Sequence, residues 1–151
     1  MNRNVMPEIY AVIKGSPAYP DLQGMVTFSE VYNGTLVTGS MEGLPDNQNG
    51  NFYGFHIHEG GSCTGDATDP FKDAGGHYNP TNQEHPFHAG DMPVIMGNQG
   101  AAWFQFYTNR FYPEEIVGKT VVVHDMPDDF RSQPSGDSGM KIGCGVVEMR
   151  E

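Results

Sequence analysis

Six histidines, His56, His58, His77, His85, His88 and His124, are confined to the middle of the chain, and Asp91 follows the fifth of them by three positions. Imidazole is a ligand for zinc, copper, iron and nickel, and one carboxylate among imidazoles suits tetrahedral zinc. His56 and His58 are two residues apart in a run (NFYGFHIHE) that reads as a strand, so their side chains leave the same face. His124 lies near the end of a second such run (TVVVHD). His77, His85, His88 and Asp91 fall in a stretch with few apolar residues to order it, and a bound metal would supply that order. Seven candidate ligands exceed the needs of one four-coordinate metal, and two such metals need eight positions. Seven residues fill eight positions when one imidazole binds through both nitrogens as imidazolate. The count leads to a binuclear centre. The competing reading is a solvated loop whose histidines act singly.

The elements that must hold these groups are short strands. Glu8–Lys14, Gly24–Val31, Thr35–Met41, Asn51–Glu59, Ala101–Thr108, Thr120–Asp125 and Cys144–Met149 carry the β-branched, aromatic or alternating pattern, with a further short strand at Met92–Met96. Asn33-Gly34 marks a hairpin turn before the third. Tyr112–Val117, with Pro113 near its start, reads as one helical turn, and nothing sustains a 3.6-residue period. Two long segments, Gly60–Asp91 and Met126–Ile142, break the spacing, and long irregular loops in a compact domain are usually functional. Seven or eight strands with Gly-rich turns predict an all-β sandwich or barrel.

The chain has 151 residues, 20 of them Gly and 11 Pro, and a net charge of −11 from 8 Lys and Arg against 19 Asp and Glu. That length suits a single domain over residues 1–151, and the Gly and Pro surplus serves turns. No apolar run is long enough for a transmembrane helix. The charge argues against nucleic acid or an anionic membrane as a partner. Met1–Pro7 (MNRNVMP) has neither an apolar signal core nor a cleavage site.

The motifs Gly54-Phe55-His56-Ile57-His58-Glu59, Gly75-Gly76-His77-Tyr78-Asn79-Pro80, His88-Ala89-Gly90-Asp91, Val122-Val123-His124 and Gly143-Cys144-Gly145-Val146-Val147 occur in that order. Together they resemble the copper/zinc superoxide dismutases over nearly the whole chain. The Gly-Gly-His-Tyr form and the short Glu59-to-Cys63 interval look like the bacterial branch. The resemblance implies an eight-stranded Greek-key β-barrel with two long loops. It implies disproportionation of superoxide to oxygen and hydrogen peroxide, with copper on His56, His58, His77 and His124. Zinc would lie on His77, His85, His88 and Asp91. His77 would bridge the metals and carry a proton to the outgoing peroxide. Asp128 would hydrogen-bond one copper ligand and one zinc ligand, and Cys63 would be disulfide-bonded to Cys144, the alternative being two free thiols.

Two departures from the family pattern stand out. Where the family has an arginine three residues before the final cysteine, this chain has Lys141, which keeps the charge but not the planar anion-binding fork. Lys141 is therefore expected to guide superoxide less well, with Arg131 a weaker candidate for the same task. His85 and His88 are also closer together than the family usually has them, with Pro86 between. The alternative function is a non-catalytic copper- or zinc-binding barrel, a metal buffer or chaperone-like domain, or a module with structural zinc alone. The disulfide would favour a periplasmic or other extracytoplasmic location, and the missing signal segment a cytoplasmic one. A homodimer is open, with Met6, Ile9 and Phe111 as candidate interface residues.

Overall fold

A computed structural model describes residues 8–150. Among these residues nine strands follow one another: β1 (Glu8–Gly15), β2 (Gln23–Val31), β3 (Gly34–Glu42), β4 (Phe52–Tyr53), β5 (Phe55–His58), β6 (Ile95–Met96), β7 (Ala102–Thr108), β8 (Thr120–His124) and β9 (Lys141–Arg150). Seven of them form one curled antiparallel sheet in the order β5-β8-β9-β1-β2-β3-β7, and β4 pairs with β6. Among the described residues the helical elements are two 3-10 turns, Lys72–Ala74 and Pro113–Ile116. The second falls where Pro113 predicts a turn, since its fixed φ suits the start of a helix.

The expected strand Asn51–Glu59 is broken at Gly54 into β4 and β5. A Cβ at Gly54 would lie 2.7 Å from Ser138 Oγ and 3.3 Å from His124 Cβ. The Gly54 N–H donates to the Met126 carbonyl at 2.8 Å, and its own carbonyl accepts from His124 N–H at 2.8 Å. The second long loop thus presses onto the strand where only hydrogen fits. Counted as one bent strand, β4 and β5 bring the barrel to eight. The β2–β3 hairpin pairs Val31 with Gly34, so its loop is Tyr32-Asn33, one residue earlier than Asn33-Gly34. Both loop residues have positive φ, 47° and 60°, as a two-residue turn matched to strand twist requires. Tyr107 Oη donates to the Tyr32 carbonyl at 2.7 Å and pins the turn. Met92–Met96 narrows to Ile95–Met96, and β9 starts at Lys141 rather than Cys144, because His124 still pairs with Lys141 across the sheet.

Alternation decides which face carries chemistry. Ile9, Ala11 and Ile13 of β1, Val26 and Phe28 of β2, Phe55 and Ile57 of β5, and Val121 and Val123 of β8 point into one core. Each of these side chains other than Ala11 contributes roughly 1.5–3 kcal/mol by leaving water. Ile9 and Phe111 belong to this core at 3% and 2% exposure, which removes both as interface residues; Met6 lies outside the described residues. With those neighbours turned inward, His56, His58 and Val122 must leave the opposite face of β5 and β8. A smaller cluster of Phe71, Ala74, Val122, Cys144 and Cys63 packs there. Cys63 and Cys144 are disulfide-bonded with Cα atoms 5.8 Å apart, which clamps the first long loop onto β9.

Candidate metal centre

The first long loop is stitched to the free edge of β5. Tyr78 N–H donates to the Ile57 carbonyl at 2.8 Å, Ile57 N–H to Gly90 at 2.9 Å, and Glu59 N–H to Gly76 at 2.8 Å. His77 thereby bridges to His58, and Asp91 to His56, as isolated β-pairs. These backbone bonds cover a strand edge that would otherwise be open. They also bring loop histidines over the outward face of β5. From β8, His124 joins them at a register shift between Val123 and His124, an irregularity of the kind that re-aims a side chain.

Two groups of four potential ligands result, His56, His58, His77 and His124 in one and His77, His85, His88 and Asp91 in the other, with ligand atoms in each within 4.8 Å of one another; His56, His85 and Asp128 form a third, smaller group. His77 is common to the first two. The hydrogen bonds of the rings decide which nitrogens are free to accept a metal. His58 Nδ1 donates to the Gly75 carbonyl at 2.7 Å and His124 Nδ1 to Gly139 at 3.4 Å, which leaves both Nε2 atoms, 3.3 Å apart, with lone pairs. His56 Nε2 donates to Asp128 Oδ2 at 2.8 Å, which leaves its Nδ1 free. His77 Nδ1 stands 2.8 Å from Asp91 Oδ1 and 3.2 Å from His88 Nδ1, on the side of the second group. Among the described residues three buried side-chain nitrogens have no hydrogen-bond partner: His56 Nδ1, His77 Nε2 and His85 Nδ1. His85 Nδ1 is 3.0 Å from Asp91 Oδ2 but is not aligned to bond it. Orphaned buried donors or acceptors are rare and costly. Here all three belong to the two groups, so the residues present fit one metal in each.

The electrostatics favour the ligand form. Burial holds His56 and His58 well below the ordinary histidine range, and neighbouring imidazoles push the same way. Burial lowers His124 to about 4 and also lowers His88. Burial alone would raise Asp91, but the hydrogen bond from His77 and the nearby imidazoles outweigh it and keep the carboxylate ionised. Neutral imidazoles and an ionised carboxylate are what a metal site requires.

Asp128 ties the groups together. Its Oδ1 accepts from His85 Nε2 at 2.7 Å and its Oδ2 from His56 Nε2 at 2.8 Å, with the carboxylate fully buried. Gly136, at φ +74°, is what allows this, since a Cβ there would fall 1.8 Å from Asp128 Oδ1. Asp128→Asn keeps the shape but has one acceptor oxygen, so it serves one histidine and turns a donor on the other. Such outer partners are worth roughly 10–100-fold in metal affinity. A loss in that range is expected at one of the two metals, read by competition with a chelator. Unchanged affinities at both would show the bridge to be dispensable.

The outward end of the first group opens into a cavity of about 360 Å³ lined by His58, His77 and His124 together with Asp69, Pro70, Met140 and Lys141, among others. Lys141 therefore reaches the cavity. Its Nζ is paired with Asp69 Oδ2 at 2.9 Å, a contact that the expected free guiding cation lacks. Arg131 does not line the cavity; its side chain is 86% exposed and lies 4.0 Å from Asp129.

The family model described as copper/zinc superoxide dismutase matches residues 22–147. The chain belongs to that family. A copper/zinc superoxide dismutase of Aquifex aeolicus is 35% identical over 141 residues, 82% of this chain and 78% of the relative. One from Deinococcus radiodurans is 36% identical over 143 residues, 83% and 76% of the two chains. The A form of Xenopus laevis is 34% identical over 158 positions, 94% and 97% of the two. The solved dismutase of Brucella abortus superposes with a TM-score of 0.78 at 28% identity, over 92% of this chain and 98% of that one. As a copper/zinc superoxide dismutase the chain is an enzyme that disproportionates superoxide, with copper and zinc as cofactors.

Some residues that shape the dismutase site carry no signal in the sequence. Gln133 donates from Nε2 to the His85 carbonyl at 2.6 Å and accepts the His85 N–H on Oε1 at 2.9 Å, so one amide side chain holds His85 as a strand neighbour would. Arg110 donates to the carbonyls of Pro86, at 2.6 Å, and His88, at 3.2 Å, and braces the same turn. These clamps give the closely spaced His85 and His88 a fixed backbone. Both act across the fold, from loops that read as ordinary polar surface.

Proposed function

We propose that His56 Nδ1 and the Nε2 atoms of His58, His77 and His124 hold copper, and that Nδ1 of His77, His85 and His88 with Asp91 holds zinc. The observation that carries this is the division of His77, whose Nδ1 faces Asp91 while its Nε2 is buried without a partner beside the other three histidines. When bound, copper supplies the one-electron couple that accepts an electron from one superoxide and returns it to the next, and zinc a fixed charge beside His77.

The chain's own residues do the rest. His58, His77 and His124 face the cavity, so a small anion meets them without crossing the core. His77 Nε2 would carry the proton to the outgoing peroxide whenever that lone pair is not engaged by copper, since His77 is shared by both groups and its Nδ1 stays anchored beside Asp91. Asp128 fixes the tautomers of His56 and His85, which leaves Nδ1 of each free to hold a metal. Lys141 supplies the positive charge at the cavity that a protein of net charge −11 otherwise denies to an anionic substrate.

Residues 1–151 act on this reading as one unit that needs no nucleic acid. A homodimer is its simplest assembly, formed through a surface other than Ile9 and Phe111. The Cys63–Cys144 bond supports an oxidising, periplasmic or other extracytoplasmic compartment.

Metal analysis of purified protein with a superoxide-disproportionation assay tests the assignment. One copper and one zinc per chain are expected, with visible absorption and an EPR signal from histidine-bound Cu(II), and activity proportional to copper content. Copper-loaded protein no more active than free buffer would sink the reading.

A further inference from the structure

The cavity above the copper-side histidines carries two formally charged side chains among its lining residues, Lys141 and Asp69. They form an ion pair, Nζ to Oδ2 at 2.9 Å. The access route is therefore neutral in sum, on a protein whose net charge is −11 and whose substrate is an anion. The pair is set by two rigid pieces of backbone. Lys141 opens β9 directly across from His124. Asp69 sits in a tight turn in which Asp66 Oδ1 accepts N–H bonds from Thr68 and Asp69, both at 2.9 Å. Lys141 is only 18% exposed on its side chain, so its charge is screened less by water than an open surface lysine's.

We propose that Asp69 is a rate-setting residue for superoxide entry, because it occupies and neutralises Lys141, the one Lys or Arg among the described residues that lines the copper-side cavity. An incoming superoxide must compete with a tethered carboxylate for the Lys141 ammonium. Asp69 thus restrains the known reaction without touching the metal, and its removal converts the route from neutral to positive. This rests on the reading of Lys141 as the anion guide.

Asp69→Asn is the informative variant. Asp69 Oδ1 accepts from Phe71 N–H at 3.2 Å, and an asparagine keeps that acceptor, so the turn is retained while the charge is lost. At low ionic strength kcat/KM for superoxide is expected to rise about tenfold, at the low end of the roughly 10–10³-fold that a charged cleft gives to steered encounters. The gain should shrink toward unity near 1 M salt, where the screening length is about 3 Å. Azide, an anion of the same charge, should bind more tightly when followed by the copper absorption. Asp69→Ser, equally uncharged, should reproduce the gain.

Two further proteins separate the proposal from the reading beneath it. Lys141→Gln alone should be slower than the parent, and Asp69→Asn/Lys141→Gln should show none of the gain of Asp69→Asn over the parent, since the cation that Asp69 covers is gone. A gain that survives in the double variant, or no gain in either Asp69 variant, overturns the role of Asp69. A Lys141→Gln protein as fast as the parent overturns Lys141 as the guide, whatever Asp69 does.

Discussion

His124→Ala is expected to lose superoxide turnover by roughly 10²-fold or more while keeping its zinc. Losing an outer partner of a metal ligand already costs roughly 10–100-fold, and His124 is itself placed as a ligand. It belongs to the His56, His58 and His77 group and not to the one containing Asp91. It is 3% exposed, so water is poorly placed to fill its position with the same geometry. Its Nδ1–H is anchored on Gly139, which aims the free Nε2 at that of His58. His88→Ala gives the mirror result: zinc is lost first, and copper with much of the activity is retained. Metal content by atomic absorption, beside activity, reads both. An alanine at 124 that keeps full copper and full rate would mean the first group is not the redox site.

The second large effect is on stability. Cys63→Ala with Cys144→Ala removes a cross-link spanning 81 residues, worth about 4–5 kcal/mol in the chain-entropy picture. For a domain of this size that lowers Tm by roughly 10–20 °C. The consequence should reach the site as well. Cys63 begins the stretch in which Phe71 and Ala74 pack on Val122 and Cys144, and just beyond it Gly75 accepts the His58 Nδ1–H. With the clamp gone, His58 loses the fixed acceptor that sets its tautomer, and activity should fall before the barrel unfolds. Thermal unfolding of metal-free protein, oxidised against reduced, isolates the stability term. A Tm that does not move on reduction would place the stability of the loop elsewhere, in the backbone bonds to β5.

The sheet was legible in the sequence because strand alternation is local. Phe55 and Ile57 against His56 and His58, or Val121 and Val123 against Val122, declare their faces within a few residues. The break at Gly54 was not legible, because its cause is Ser138, a contact from the far end of the second loop. The hairpin was displaced by one residue because the partner register, Val31 with Gly34, selects the turn, and Tyr32 bears a positive φ that its type does not advertise. The family motifs point to Asp128, but its bridging position needs Gly136 to approach within a distance no side chain permits.

By itself, then, the sequence determined the chemistry on offer: six imidazoles and a carboxylate in a number that suits two metals, two cysteines, strands to carry them, and a lysine where the family has arginine. Those properties are set by residue type and short spacing. Only the tertiary structure decided which nitrogen of each ring is free, and that Lys141 meets Asp69 across 72 residues of chain. Hydrogen-bond partners and ion pairs depend on distances of about 3 Å between segments remote in sequence. No local pattern encodes such distances, and so the pairing of Lys141 with Asp69 at the cavity became visible only in the folded chain.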